Sequence, residues 1–230
     1  MVRLEKLEYS ENRRRPEKAA SYNVKYEREL HKRISDWREK RILEGLLARA
    51  GQCARVLDVP CGAGRLSGII ARHAEKLYEV DYSREMLHLC RSNATAYRPF
   101  IAAASAFQLP FPDGAFDLAV SIRLSHHIPT REARHDHLRE VLRVARRFAL
   151  VTYFGEESMK NRLRNLYRRL GGKKRAKWTL GRREVEALAA AAGFRVVRVK
   201  SISSFFSGHF FTLLERSEGE TVRGAGNGSG

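Results

Sequence analysis

The stretch that most limits what this chain can fold into is Val56 to Leu66, which reads VLDVPCGAGRL. An apolar pair, Val56 and Leu57, ends in a carboxylate, Asp58. Gly62 and Gly64 follow, and an apolar pattern of helical spacing opens at Leu66. That order is strand, tight turn, helix. Glycine lets the backbone turn sharply and lets a ligand approach where a Cβ would block it, and the amides that open the helix point toward that ligand.

Nucleotide cofactors suit such a loop, and the residues discriminate among them. A dinucleotide fingerprint requires G-x-G-x-x-G, but Ser67 stands at the third glycine position and Gly68 arrives one residue late. A pyrophosphate would lie close to the Asp58 carboxylate and be repelled by it. A Walker loop is excluded because no Gly-Lys-Ser/Thr follows. A ligand carrying ammonium and sulfonium charges would be attracted by Asp58, so the residues favour S-adenosylmethionine over a nicotinamide cofactor.

Beyond the loop, strand-like and helix-like segments alternate. Leu66 to Ala74 reads as a helix and Leu77 to Val80 as a strand ending in Asp81, which comes 23 residues after Asp58. In nucleotide-binding βαβ units a ribose-binding acid follows the glycine loop by about 20 residues. Ser83 offers an N-cap and Glu85 a first-turn acid for the next helix. Strands are expected at Pro99 to Ala104, Phe116 to Val120, Phe148 to Tyr153, Phe194 to Ile202 and Phe210 to Leu214, with helices to about Val144 and from Arg183 to Ala192. This alternation predicts an α/β fold with a mostly parallel sheet covered on both faces.

A chain of 230 residues with 43% hydrophobic content suits one well-buried core. Residues 1 to 50 form an N-terminal helical extension, helical from about Ala19, which serves either as a lid or as a packing helix. The main domain is expected over 51 to 216, with a basic helical insertion at about 156 to 183, and a glycine-rich, disordered tail over 217 to 230. No run is long and apolar enough for a membrane span, and MVRLEKLEYS lacks the centre of a signal peptide, so a cytoplasmic protein is expected. Cys53, Cys61 and Cys90 are odd in number and scattered, which reads as reduced thiols and no metal site.

Four motifs in order, VLDVPCGAG, EVDYSREML, SAFQLPFPDGAFDLAV and SHH, resemble the class I S-adenosylmethionine-dependent methyltransferases of the small-molecule and quinone type. The resemblance spans about Val56 to Val151 strongly and the two closing strands weakly. It implies a Rossmann-like, doubly wound seven-stranded sheet whose last strand runs antiparallel, with S-adenosylmethionine across the carboxyl ends of strands one to four. Asp58, Gly62 and Gly64 would then hold the methionine end, and Asp81 the ribose hydroxyls. Tyr82 would lie against the adenine, Ser105 and Ala106 at its edge, and Ser121 beside the transferable methyl. Three departures stand out: Pro60 replaces the usual first loop glycine, Glu79 a glycine of strand two, and Ser105 the acid that usually meets the adenine amino group.

His126 and His127 follow the fourth strand where an acceptor would arrive, and imidazole titrates in the range of a general base; loop packing is the alternative role. The acceptor is best sought in the charge. The chain carries 44 basic against 26 acidic residues, net +18, and Glu156 to Arg183 alone holds eleven basic and two acidic residues. Met159, Leu163, Leu166, Tyr167 and Leu170 recur on one helical face of that segment, with Arg164, Arg168 and Arg169 among the residues around it. A small or lipid-linked, phosphate-bearing acceptor fits, with peripheral contact to an anionic membrane's inner face. An apolar face packed on the sheet with solvated arginines is the plainer reading, and RNA methylation and non-catalytic binding are the alternative functions.

Overall fold

The computed structural model describes residues 30–156, 163, 166, 167, 170, 178–202 and 208–217. Its elements run α1 (Leu30–Ala50), β1 (Cys53–Asp58), α2 (Ser67–Ala71), β2 (Ala74–Asp81), α3 (Arg84–Asn93), β3 (Phe100–Ala103) and β4 (Phe116–Ser121). A 3-10 turn (Ser125–His127), α4 (Arg131–Val144), β5 (Ala145–Phe154), α5 (Arg182–Ala191), β6 (Phe194–Ser201) and β7 (His209–Arg216) follow. The strands form one seven-stranded sheet in the order β3-β2-β1-β4-β5-β7-β6. Only β7 opposes the rest, pairing antiparallel with both β5 and β6, as the resemblance implies.

Alternation along the strands builds two apolar layers. Val56, Leu118, Val120, Phe148, Leu150 and Leu213 point to one face, where Leu43, Leu46 and Leu47 of α1 and Ile70 of α2 cover them. Leu57, Ala119, Ala149, Val151 and Leu214 point to the other, against Leu138, Val141 and Leu142 of α4 and Val185 and Ala189 of α5. Sheets buried on both faces carry near-continuous apolar runs, which is what β4 and β5 show.

Two elements depart from the side-chain pattern. Strand β2 begins at Ala74, where a helix was expected to end, and α2 stops at Ala71. Ala74, Glu75 and Lys76 lack a strand-like pattern, but parallel pairing of Cys53 with Ala74 and Arg55 with Lys76 draws them into the sheet. Backbone hydrogen bonding to a neighbouring strand overrides local propensity here. Strand β5 begins at Ala145, directly after α4 ends at Val144, with no connecting loop.

Helix α1 has two halves with different jobs. Leu43, Leu46, Leu47 and Ala50 are buried in the core, whereas Ile34 and Trp37 are exposed, with the Arg41 guanidinium 5.1 Å from the Trp37 ring centroid. Leu163, Leu166, Tyr167 and Leu170 are exposed as well, at 49% or more, so these apolar side chains do not pack on the sheet. Arg164, Arg168 and Arg169, the N-terminal segment before residue 30, and the tail beyond residue 217 lie outside the described residues. No helix among the described residues is long and apolar enough to cross a membrane.

Because Leu47 is fully buried between α1 and the sheet, Leu47→Ala is expected to lower stability by ~2–5 kcal/mol. Chemical denaturation should show a lower midpoint with an unchanged slope.

Candidate active site

The chain runs β1, β2, β3 outward from the middle of the sheet and then returns to β4 beside β1. Ligands of open α/β sheets bind at the carboxyl ends of the strands where the order reverses. A cleft lies there, lined by the loop after β1, the ends of β2 and β3 and the segment after β4.

The loop after β1 is held by backbone bonds from Val59 N to Val120 O at 2.9 Å and Cys61 N to Val80 O at 3.0 Å. The Val59–Pro60 peptide is cis, and Gly62 and Gly64 take φ of 58° and 75°. Gly64 is constrained twice, since a Cβ there would also come within 3.0 Å of Cys90 Sγ. The Gly62 amide donates to Asp81 Oδ2 at 2.9 Å, and the Ser83 amide donates to Oδ1 at 2.9 Å. Asp81 therefore braces the glycine loop, and its carboxylate at the mouth of the cleft is an acceptor that suits ribose hydroxyls. Ser83 caps α3 by accepting from the Met86 amide, as its sequence position predicts.

Asp58 is buried, and its pKa is raised well above the carboxylate range by desolvation first, then by the negative charges of Glu79 and Asp81; Arg65 offsets part of this. Glu79 is also fully buried, with Cys90 Sγ donating to its Oε2, and desolvation raises its pKa too. Glu79, which replaces a glycine in the family pattern, is thus seated under the loop against Cys90, next to Ser67 and Tyr97. A cradle with Asp58 and Asp81 on its wall suits a ligand whose ammonium and sulfonium charges neutralise buried carboxylates. Tyr82, Ser105 and Ala106 line the same cleft, with Tyr82 43% exposed. Ser105 Oγ accepts from the Phe107 amide at 3.2 Å.

Ser121 is placed elsewhere. Its side chain is buried 3.0 Å from His137 Nε2, and Ile122, Arg123 and Leu124 line the cleft in its stead. His137 Nδ1 lies 3.0 Å from the Ala106 carbonyl oxygen. A carbonyl only accepts, so Nδ1 carries the proton and Nε2 accepts from the Ser121 hydroxyl. Burial lowers the His137 pKa, which favours this neutral form. Ser121 thus ties the end of β4, through His137, to the loop that holds Ser105 and Ala106.

His126 and His127 lie outside the glycine-loop cleft as well. Their rings are 4.1 Å apart between centroids, and His126 packs 4.5 Å from Phe154, with His209 of β7 at 6.1 Å. They form part of an imidazole and phenyl cluster at the ends of β5 and β7.

The sequence reading overlooked Glu39, Arg65, Arg123, His137 and His209. Glu39 is completely buried; Arg65 Nη2 donates to it at 2.8 Å, and Arg123 grips it through Nε and Nη2, each at 2.7 Å. Arg65 also pairs with Asp36. Arg65 and Arg123 both line the cleft. Arg123 holds a φ of 65° while its amide donates to Thr152 Oγ1 at 2.8 Å. Among the described residues no group of three or more side chains could hold a metal ion.

Residues 57–151 match the family model of the methyltransferase domain. Fold, cleft and match agree: residues 57–151 carry a methyltransferase domain, and the chain is similar to the class I S-adenosylmethionine-dependent methyltransferases, whose cofactor is S-adenosylmethionine. A malonyl-[acyl-carrier protein] O-methyltransferase of Geobacter sulfurreducens is 34% identical over 169 residues, covering 70% of this chain and 62% of its own. The chain thus spans about three fifths of that relative's length. A tRNA (carboxymethyluridine(34)-5-O)-methyltransferase of Xenopus tropicalis is 32% identical over 101 residues, 44% of this chain and 15% of its own. Magnesium protoporphyrin IX methyltransferase from Synechocystis, crystallised with SAH, superposes with a TM-score of 0.67 at 18% identity, over 82% of this chain and 88% of its own. At that identity the likeness speaks for the fold.

Two outcomes follow from the cleft. Asp81→Ala should weaken S-adenosylmethionine binding about ten- to a hundredfold in calorimetry, since hydrogen bonds to a charged group contribute ~1.5–3 kcal/mol. The chain should stay folded by circular dichroism. Asp58 has a raised pKa and a cationic ligand prefers its ionised form, so affinity should fall as pH drops through that pKa and rise above it. Binding should release a proton, read as a dependence of the calorimetric enthalpy on the buffer's ionisation heat.

Proposed function

We propose that this protein transfers the methyl group of S-adenosylmethionine to a small or lipid-linked acceptor that carries negative charge. The cofactor supplies an electrophilic methyl on a sulfonium, which becomes a neutral thioether as the methyl leaves. The chain's own residues then have three tasks: to orient, to keep water out and to accommodate the change in charge. Asp58, Gly62 and Gly64 would hold the methionine end, Asp81 the ribose, and Tyr82, Ser105 and Ala106 the adenine. The backbone ties of the loop to Val80, Val120 and Asp81 keep that geometry fixed before binding, which is where alignment gains its effect.

For the acceptor, the observation that carries the reading is the exposure of Leu163, Leu166, Tyr167 and Leu170 within a segment of net charge +9. Apolar side chains on a strongly basic segment suit an anionic amphiphile, whose chain meets the leucines while its head group meets the arginines. The Geobacter relative is named for a malonyl group carried on an acyl carrier protein, which is likewise acidic and tethered. His126 and His127, in the segment after β4, are the candidate bases for an acceptor hydroxyl or ammonium.

Purified protein, labelled cofactor and fractionated cell extract would identify the acceptor class. Label in lipid or small anionic molecules supports the proposal, and label in RNA replaces it with nucleic-acid methylation. Changing Arg164, Arg168 and Arg169 together to Gln should raise the acceptor's KM about a hundredfold, at ~1 kcal/mol for each screened contact, with cofactor affinity unchanged. Flotation with vesicles should show binding that depends on anionic lipid; equal flotation with neutral vesicles removes the membrane part.

A further inference from the structure

Glu39 sits outside the motifs of the family, on a helix that precedes them, yet two arginines of the cleft converge on it. Its side chain is completely buried, and Arg65 and Arg123 reach it from the loops after β1 and after β4. Desolvation works against its ionisation, but the charges of Arg123 and Arg65 outweigh it and hold the carboxyl below its ordinary range. Glu39 is therefore an anion at neutral pH. The Arg65 charge reaches Asp58 and influences its ionisation.

Resting on the reading of this cleft as the cofactor site, we infer that Glu39 is an electrostatic positioning residue: it neutralises two guanidinium charges at the cleft so that the pocket stays receptive to a sulfonium. Two arginines on the wall of a site for a cation would oppose binding unless their charge were balanced. Asp36 balances Arg65 a second time, with its side chain 16% exposed. The same contacts fix the loops mechanically. Arg123 is held in a left-handed conformation, unusual for a residue with a Cβ, by Thr152 on one side and Glu39 on the other.

A mechanical role and an electrostatic role differ in what they do to the product. S-adenosylhomocysteine has the same amino acid, ribose and adenine as S-adenosylmethionine but a neutral sulfur, so the ratio of their dissociation constants isolates the effect of the sulfonium charge.

Calorimetry of the full chain with both ligands tests this. Glu39→Gln keeps the size of the side chain and removes the charge. It should weaken S-adenosylmethionine about five- to tenfold more than S-adenosylhomocysteine, the size expected of one uncompensated charge several ångströms away in a partly solvated site. Adding Arg123→Gln to Glu39→Gln should move the ratio back toward that of the wild type. If Glu39→Gln fails to fold, Asp36→Asn should shift the ratio in the same direction, since it removes the more accessible counter-charge of Arg65. An unchanged ratio in these variants, with both ligands weakened alike or not at all, overturns the inference. A wild-type chain that binds neither ligand overturns instead the assignment of the cleft on which it rests.

Discussion

Three carboxylates, those of Asp58, Glu79 and Asp81, crowd the carboxyl ends of two adjacent parallel strands, and the site is organised around their repulsion. Asp58 and Glu79 are direct partners in the β1–β2 register. Each charge is moderated differently. Asp81 accepts two backbone amides, Glu79 accepts the Cys90 thiol, and Asp58 has the Arg65 charge nearby while its own pKa is pushed up. A buried cluster of this kind is costly when empty of cations and is relieved when one arrives. The glycine loop brings the ligand close enough for that relief to count.

The fold was legible because its main signals are local and strong. A strand ending in Asp58, glycines with positive φ, a second strand ending in Asp81 and a Ser83 cap are all written in contiguous residues, and each has a backbone consequence that the structure bears out. Element ends were less legible. Ala74 to Lys76 joined β2 because β1 offered hydrogen bonds, and no pattern within those residues reports that.

The side-chain arrangement of the site depended on long-range meetings that spacing cannot supply. Glu39 and Arg123 are 84 positions apart, and Ser121 meets His137 across a helix. Faint signals exist in retrospect. Glu39 falls four residues before Leu43 on the apolar stripe of α1, and His137 lies on the buried stripe of α4 between Ala133 and Val141. A polar residue at a core position announces a buried partner without naming it. Ser121 was placed by its strand position, but the alternation of side chains along β4 turned it away from the cleft and toward α4.

The position of β7 bears on how the molecule is assembled. It lies inside the sheet, between β5 and β6, although both neighbours precede it in the chain. Until residues His209 to Arg216 have been made, β5 presents an open edge, and β6 has no partner in the sheet. A nascent chain can thus pair β1 through β5 side by side, but must hold that edge unpaired while about sixty further residues emerge, several seconds at ribosomal rates. An exposed apolar strand edge is the usual route to intermolecular pairing. Closure of the sheet waits for β7, and the strand that accomplishes it enters between two others instead of adding to the outside.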